Sequence, residues 1–309
     1  MIQFGVILHS TAPYADWEIF LKIAKETERL GYDSLWISDH LISPKGRSHG
    51  LEALTILSAL ATKTKKIRLG TYVLCNQFRH PSLLAKMIST IDHISKGRIN
   101  IGIGAGWYKM EHISYGFNWD KIHVRINRLK ESILLMKKLW TADNVTFNGE
   151  FYRISNATLE PKPIQKPHPP IWIGGKSPAI KQIVADEGNG WIPVLPSPEQ
   201  LFDDLEKIKK SMKKINRDFN QLEIAFGGAA YTLITNDKKL ATLELKKISN
   251  YRNIPIDKLN CLIGDSSFIK ERIHQYKEVG VNHIITGFLD FPSLNSLRQF
   301  AEFVIPTFK

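Results

Sequence analysis

Residues 169–178, Pro-Pro-Ile-Trp-Ile-Gly-Gly-Lys-Ser-Pro, carry the clearest structural signal in this chain. The apolar run 171–173 is short and lies between prolines and glycines, which predicts a buried strand. Ser177 and Pro178 are typical of a helix N-cap followed by a first-turn proline. The stretch therefore predicts a strand that passes through a glycine turn directly into a helix.

This turn has two interpretations. Gly174 and Gly175 let a ligand approach the backbone closely, and the first turn of a helix offers free N–H groups to an anion. Lys176 and the Ser177 hydroxyl would add further donors. A Gly-Gly turn between a strand and a helix is also often only a turn, so both interpretations stay open at the level of these residues.

Composition limits the class of protein. The chain has 309 residues, of which 43% are hydrophobic, enough for a large core. Its two cysteines, Cys75 and Cys261, form neither a disulfide framework nor a metal-binding pattern, which predicts a reducing, cytoplasmic setting. The N-terminus begins in an apolar strand without a basic leader, and no apolar run is long enough for a membrane span. We therefore expect a soluble protein without a signal peptide.

The net charge of +12 could indicate nucleic acid, a polyanionic cofactor or an ordinary lysine-rich surface. The lysines cluster at predicted helix ends and on exposed helix faces, where they are ordinary solvated residues. No alternation of aromatic and basic residues and no nucleic-acid module is visible. The expected partner is a small-molecule substrate, and neither nucleic acid nor a membrane is predicted to bind.

Eight predicted strands alternate with predicted helices. They cover residues 4–9, 34–38, 67–74, 99–104, 171–173, 191–194, 222–229 and 283–286. Eight strand–helix units in series favour a single (β/α)8 barrel domain over residues 1–309, with a doubly wound open sheet as the alternative. Segments of about 106–123 and 142–168 fall outside the alternation and are predicted to be insertions at the rim.

Two groups of residues follow predicted strands and could carry chemistry. Asp39 and His40 place a carboxylate and an imidazole at a strand's carboxyl end, where α/β enzymes keep their active sites. Residues 102–107, Gly-Ile-Gly-Ala-Gly-Trp, lack the spacing of a dinucleotide fingerprint. Glycines at a strand end could instead accept a flat ring, with Gly106 and Trp107 beside it. The aromatic residues that follow would suit a flat ligand, or they could form a small core under the loop. No His-x-His pair or similar metal-ligand spacing occurs at the strand ends.

Several linked motifs resemble one family. They are 104–111 (Gly-Ala-Gly-Trp-Tyr-Lys-Met-Glu), 161–165 (Pro-Lys-Pro-Ile-Gln), 167–175 (Pro-His-Pro-Pro-Ile-Trp-Ile-Gly-Gly), 38–40 (Ser-Asp-His), 70–74 (Gly-Thr-Tyr-Val-Leu) and 79–81 (Arg-His-Pro). Together they resemble the luciferase-like monooxygenases over about residues 3–290. Within that family the sequence is most similar to the branch that uses the deazaflavin coenzyme F420.

The resemblance implies a (β/α)8 barrel that binds a flavin or deazaflavin at the carboxyl ends of its strands. It implies that the cofactor phosphate lies at Gly174, Gly175, Lys176 and Ser177. It also places Asp39 and His40 beside the cofactor ring, with His40 as the residue for proton transfer or substrate fixation. Tyr72 and Val73 match a bulge with a non-prolyl cis peptide that supports the ring, and Gly106 and Trp107 complete the implied cofactor site.

The sequence departs from the pattern of the family at three positions. Pro44 and Trp107 stand where the sugar-phosphate dehydrogenases of the family carry a tryptophan and an acid, which disfavours glucose 6-phosphate as the substrate. Asn189 replaces a common aspartate, so any role of that carboxylate is in doubt.

Three functions remain open. The first is F420-dependent hydride transfer with His40 as acid or base, and the second is an FMN-dependent monooxygenase on the same barrel. The third is a flavin-binding protein without turnover, because a site on this fold does not prove catalysis. A metal hydrolase ranks below these three. The resemblance also suggests a homodimer.

Overall fold

The structure is a computed structural model that describes residues 1–44, 50–227 and 231–309. Its strands are β1 Gln3–Leu8, β2 Ser34–Ile37, β3 Arg68–Thr71, β4 Leu74–Cys75, β5 Ile99–Gly104, β6 Val145–Asn148, β7 Arg153–Ala157, β8 Ile171–Gly174, β9 Gly190–Ile192, β10 Glu223–Phe226, β11 Tyr231–Ile234, β12 Leu262–Gly264 and β13 His283–Phe288. Its α-helices are α1 Trp17–Arg29, α2 Ala53–Lys63, α3 Pro81–Ser95, α4 Lys109–Ser114, α5 Ile122–Thr141, α6 Pro178–Glu187, α7 Pro198–Lys214, α8 Lys238–Arg252, α9 Ser266–Glu278 and α10 Asn295–Gln299.

Eight parallel strands of the described chain close into a barrel. They pair in the order β1, β2, β3, β5, β8, β9, β10 and β13, and β13 pairs in turn with β1, for example Gln3 with His283. Closure leaves no free edge, so the fold is the predicted (β/α)8 barrel and not an open sheet. None of the described helices has the length and apolar character that a membrane span requires.

The two segments predicted to be rim insertions contain elements that do not pair with the barrel strands. The first contains the short helix α4, and the second contains the antiparallel hairpin of β6 and β7. A third excursion, β11–α8–β12, was not predicted, and it lies between the seventh and eighth barrel strands. Its strands have only four and three residues, and among the residues of α8 only Ile248 is buried. The sequence of this excursion therefore shows little hydrophobic periodicity from which it could be predicted. The predicted strand 222–229 is shorter here, and its end at Ala229 lies outside the described residues.

Two tryptophans fill the inside of the barrel. Trp36 and Trp172 are fully buried and meet edge to face with ring centroids 5.3 Å apart. Each needs a glycine on a neighbouring strand, because a Cβ on Gly70 would lie 2.2 Å from Trp36 and one on Gly190 would lie 2.3 Å from Trp172. The barrel is therefore a packed core, and its chemistry is confined to its ends.

The strands β3 and β5 are joined by an irregular contact near the mouth of the barrel. The Thr71 hydroxyl donates to Gly102 O at 2.7 Å and accepts from Gly102 N at 2.9 Å. This side chain satisfies backbone groups that regular pairing would otherwise satisfy, since the strand is interrupted at Tyr72 and Val73. Val73 fills the space left by the glycines of β5, so these glycines contact the bulge.

We predict that Gly102→Ala destabilises the protein much more than Gly104→Ala. A Cβ on Gly102 would lie 2.0 Å from the backbone oxygen of Thr71, whereas one on Gly104 would lie 3.0 Å from the movable Val73 side chain. The expected losses in the free energy of unfolding are about 3 kcal/mol and about 1 kcal/mol. Urea titration of both variants measures them, and equal losses would contradict the close backbone contact.

Candidate active site

The predicted site residues follow four different strands, and parallel strands bring their carboxyl ends to one face. Asp39 and His40 follow β2, and Tyr72 and Val73 follow β3. The other predicted residues follow β5 or end β8, namely Gly106, Trp107, Gly174, Gly175, Lys176 and Ser177. They therefore surround one mouth of the barrel, although only some of them are in direct contact.

His40 is held from three sides. Its Nδ1 lies 3.1 Å from Oε2 of Glu111, and its backbone N–H donates to the Ser10 hydroxyl at 3.3 Å. Its ring meets Trp107 edge to face with centroids 5.6 Å apart. The side chain is only partly buried, so the imidazole has a fixed position and retains access to the mouth.

Asp39 is buried and engaged in an ion pair. Arg79 donates to both of its carboxylate oxygens at 2.8 Å, and Cys75 N donates to Oδ2 at 2.9 Å. Burial opposes the charge on Arg79, but its hydrogen bonds to Asp39, and then to Glu52, outweigh this and raise its pKa above the usual range. The geometry thus gives Asp39 a structural role in joining the ends of β2 and β4, and its predicted catalytic role stays a prediction.

The peptide bond between Tyr72 and Val73 is cis, as the resemblance implied. Both residues are partly buried and pack on the tryptophans inside the barrel. A Cβ on Gly174 would lie 2.8 Å from a Val73 methyl group, so the bulge crosses from β3 to the end of β8. Tyr72 and Val73 thereby form an apolar platform that reaches from the inside of the barrel to the glycine turn.

The glycine turn has the predicted strand–turn–helix form. Gly175 has φ of +128°, a conformation that favours glycine, and its carbonyl accepts from the indole of Trp191 at 2.8 Å. Ser177 is the N-cap of α6 and accepts from Ile180 N at 3.3 Å. Lys176 is exposed. The remaining free N–H group of the first helical turn belongs to Ala179, since Pro178 has none.

A cavity of about 850 Å³ adjoins Lys176 and continues outward along α7 towards the third excursion. Three of its cations, Arg252, Lys258 and Arg272, form no ion pair with a carboxylate within the described residues, and Arg272 instead donates to Asn260 at 2.6 Å. Its other charged residues are Lys207, Glu199, Asp203, Asp204 and Asp257. Asp204 already pairs with Lys181. Glu199, Asp203 and Asp257 likewise form no ion pair within the described residues, so the cavity holds unpaired charges of both signs.

The aromatic residues of the first rim segment fall into two groups. His112, Phe117 and Trp119 pack together with Phe78, with centroids 4.8 Å apart for His112 and Trp119 and 4.9 Å for Phe78 and Phe117. For these residues the structure shows the small core under a loop. Trp107 is different, because 63% of its surface is exposed at the mouth.

Gly106 turns the chain from β5 into the rim segment. Its φ is +73°, and a Cβ there would lie 2.8 Å from Cys75 Sγ. Arg125 donates to the carbonyl oxygens of Ala105 and Gly106 and lies 3.7 Å above the Trp119 ring. Burial raises the pKa of the Cys75 thiol to about 12, so this cysteine is a packing residue and not a nucleophile.

Sequence reasoning missed three residues of the site, namely Glu111, Arg79 and Arg125. Glu111 and Arg79 stood in the family motifs, but nothing in the local pattern showed their partners. Asp39 could have pointed to Arg79, because a carboxylate that is buried requires a cation or several hydrogen-bond donors. Asn189 supports the start of β8, because its amide oxygen accepts from Ile171 N at 3.0 Å.

A second constellation lies at the opposite end of the barrel. The Ser34 hydroxyl lies 2.8 Å from Nε2 of His283, and Nδ1 of His283 lies 3.4 Å from Glu223. These distances resemble a serine–histidine–acid arrangement, but Ser34 is fully buried and also accepts from the Trp36 indole. All three residues begin their strands, at the face of the barrel that serves stability.

Comparison with known proteins agrees with this geometry. The family model of luciferase-like monooxygenases matches residues 1–255. The chain belongs to this family. An F420-dependent glucose-6-phosphate dehydrogenase of Amycolatopsis mediterranei is 27% identical to this luciferase-like protein over 93% of each chain. An FMNH(2)-dependent dimethylsulfone monooxygenase of Pseudomonas putida is 26% identical over 99% of this chain and 92% of its own.

Solved structures show that the fold is shared. An F420-dependent secondary alcohol dehydrogenase, solved with an F420–acetone adduct, superposes on this luciferase-like chain with a TM-score of 0.88. The alignment covers 100% of this chain and 99% of the other at 22% identity. These relatives include both F420-dependent and flavin-dependent oxidoreductases, so family membership leaves the choice between the two cofactors open.

Proposed function

We propose that the protein is an F420-dependent oxidoreductase that transfers a hydride between the deazaflavin and a small organic substrate. The observation that carries this proposal is the arrangement of one mouth of the barrel. This mouth carries a partly exposed His40, the platform of Tyr72 and Val73, and the glycine turn before α6.

The glycine turn fits a phosphate group. A side chain at Gly175 would be strained at its positive φ, and a Cβ at Gly174 would meet Val73, so the backbone can approach a ligand only with glycines here. The free N–H group of Ala179 at the start of α6, together with Lys176, provides donors of the kind that bind phosphate. We assign the cofactor phosphate to Gly174, Gly175, Lys176 and Ser177.

The platform and His40 fit a flat ring with a reacting substrate over it. When bound, the deazaflavin supplies or accepts the hydride. His40 holds the proton that must move with it: Nε2 accepts the hydroxyl proton when an alcohol is oxidised and returns it when a carbonyl is reduced. An imidazole suits both directions because its unperturbed pKa is near neutrality. Trp107 covers one edge of His40 and narrows access of water to it.

The cavity beside Lys176 offers cations to the part of F420 that FMN lacks. The negative charge of FMN ends at its phosphate, whereas F420 continues into a tail of carboxylates. Arg252, Lys258 and Arg272 lie beyond the glycine turn without carboxylate partners in the described residues. Such cations favour a ligand whose charge extends past the phosphate.

The test is binding of each cofactor to the purified protein, followed by quenching of cofactor fluorescence. Saturable binding of F420 with weaker binding of FMN would support the proposal and justify a screen of alcohols, aldehydes and activated alkenes. Preference for FMN, with oxygen uptake by the reduced complex, would replace it with the monooxygenase function. The exposed Trp107 would suit an apolar substrate of such an enzyme equally well. Binding without turnover of any substrate would indicate a flavin carrier.

We predict that Lys176→Ala weakens F420 binding about tenfold, because it removes a charged donor to the phosphate. The same substitution should leave the affinity for the deazaflavin that carries only its ribityl chain, without phosphate, unchanged. Lys210→Ala, an exposed lysine on α7, is the matched control. Equal losses for both ligands would mean that Lys176 does not contact the phosphate.

A further inference from the structure

Glu111 is an unusual residue for the rim segment in which it lies. It belongs to the six-residue helix α4, whose neighbouring residues Met110 and Ile113 are more than half exposed, yet Glu111 itself is only 2% exposed. Burial of a carboxylate is costly unless several donors compensate for it. The protein therefore must supply those donors at this position.

Within residues 1–44, 50–227 and 231–309, the donors come from the loop after β2. Oε2 of Glu111 faces Nδ1 of His40 at 3.1 Å. Oε1 accepts from the backbone N–H of Leu41 and also from that of Ile42, the latter at 3.2 Å. One side chain thus joins the segment after β5 to three consecutive residues of the loop that carries His40.

These contacts determine which ring nitrogen of His40 carries hydrogen. A carboxylate can only accept, so Nδ1 must donate to Glu111, and the neutral ring then carries its lone pair on Nε2. Nε2 makes no hydrogen bond within the part of the chain that the structure describes. The adjacent carboxylate of Asp39 is occupied by Arg79 and does not compete for the ring.

We propose that Glu111 is a positioning residue that holds His40 as the Nδ1–H tautomer, with Nε2 free for proton exchange with the substrate. This inference rests on the proposed function for the role of Nε2, but the tautomer itself is independent of any cofactor. An acidic partner that orients an imidazole in this way contributes strongly to turnover in other enzymes.

Glu111→Gln distinguishes two roles of Glu111: control of the His40 tautomer, and attachment of the loop after β2 through Leu41 and Ile42. The glutamine oxygen can still accept from Leu41 and Ile42, but its NH₂ group would face Nδ1 and favour the opposite tautomer. We expect nitrogen NMR of the full-length protein with labelled histidine to show Nδ1–H for His40 in the parent and Nε2–H in the variant. The His40→Gln spectrum assigns the signal among the ten histidines, and Glu150→Gln is the control.

In the F420 assay, Glu111→Gln should lower kcat roughly 10²-fold or more with cofactor binding retained. An Nε2–H signal for His40 in the parent protein, or an unchanged tautomer in the folded variant, would overturn the inference. If Glu111→Gln does not fold, the parent spectrum alone decides. An absence of F420 binding with the expected tautomers would contradict only the proposed function.

Discussion

Replacement of His40 by glutamine is expected to lower kcat about 10²–10⁴-fold, the usual contribution of a general acid–base residue. Glutamine has similar length and can keep a hydrogen bond to Glu111, but it cannot exchange a proton near neutral pH. The affinity for F420 should be essentially unchanged, because the platform and the glycine turn are both intact. Stopped-flow reduction of F420 together with fluorescence quenching measures the two quantities separately.

The control for this prediction is His123→Gln, since His123 is exposed at the start of α5. It should retain the turnover of the parent. If His40→Gln also retained it, His40 would have only a structural role in the loop after β2, and the acid or base would have to be another group at the mouth.

Replacement of Asp39 by asparagine is expected to cost about 3 kcal/mol in the free energy of unfolding, because it leaves a buried guanidinium without its main partner. Arg79 donates twice to Asp39, and its remaining partner is Glu52, at the N-terminus of α2. Unfolding in urea, followed by the fluorescence of the seven tryptophans, measures the loss.

Asp186→Asn is the matched control, since Asp186 pairs with the half-exposed Lys130 on the outside of the barrel. Its expected loss is about 0–1 kcal/mol, as for other exposed ion pairs. If the two variants lost equal stability, the ion pair between Asp39 and Arg79 would contribute no more to folding than an exposed pair. Asp39 would then be available to the cofactor, as the family resemblance implied.

Asp39 and His40 show why the sequence could locate the site but could not assign a role to each of its residues. Both follow the same strand, so both were predicted at the mouth. Which of them faces the mouth depends on partners far along the chain, Arg79 for one and Glu111 for the other. Such pairs leave no local periodicity, because their spacing is set by how the strands are arranged around the barrel.

The sequence alone determined the features that depend on neighbouring residues. These are the eight alternating strands and helices, the N-cap at Ser177 and the glycine turn before it. The tertiary structure decided what depends on contacts between distant segments. Val73 fills the space beside the glycines of β5, Glu111 contacts Nδ1 of His40, and the excursion from β11 to β12 borders the cavity beside Lys176. Local propensity and capping act over a few residues, whereas a buried charge or a packed side chain takes its partner from wherever the closed barrel places one.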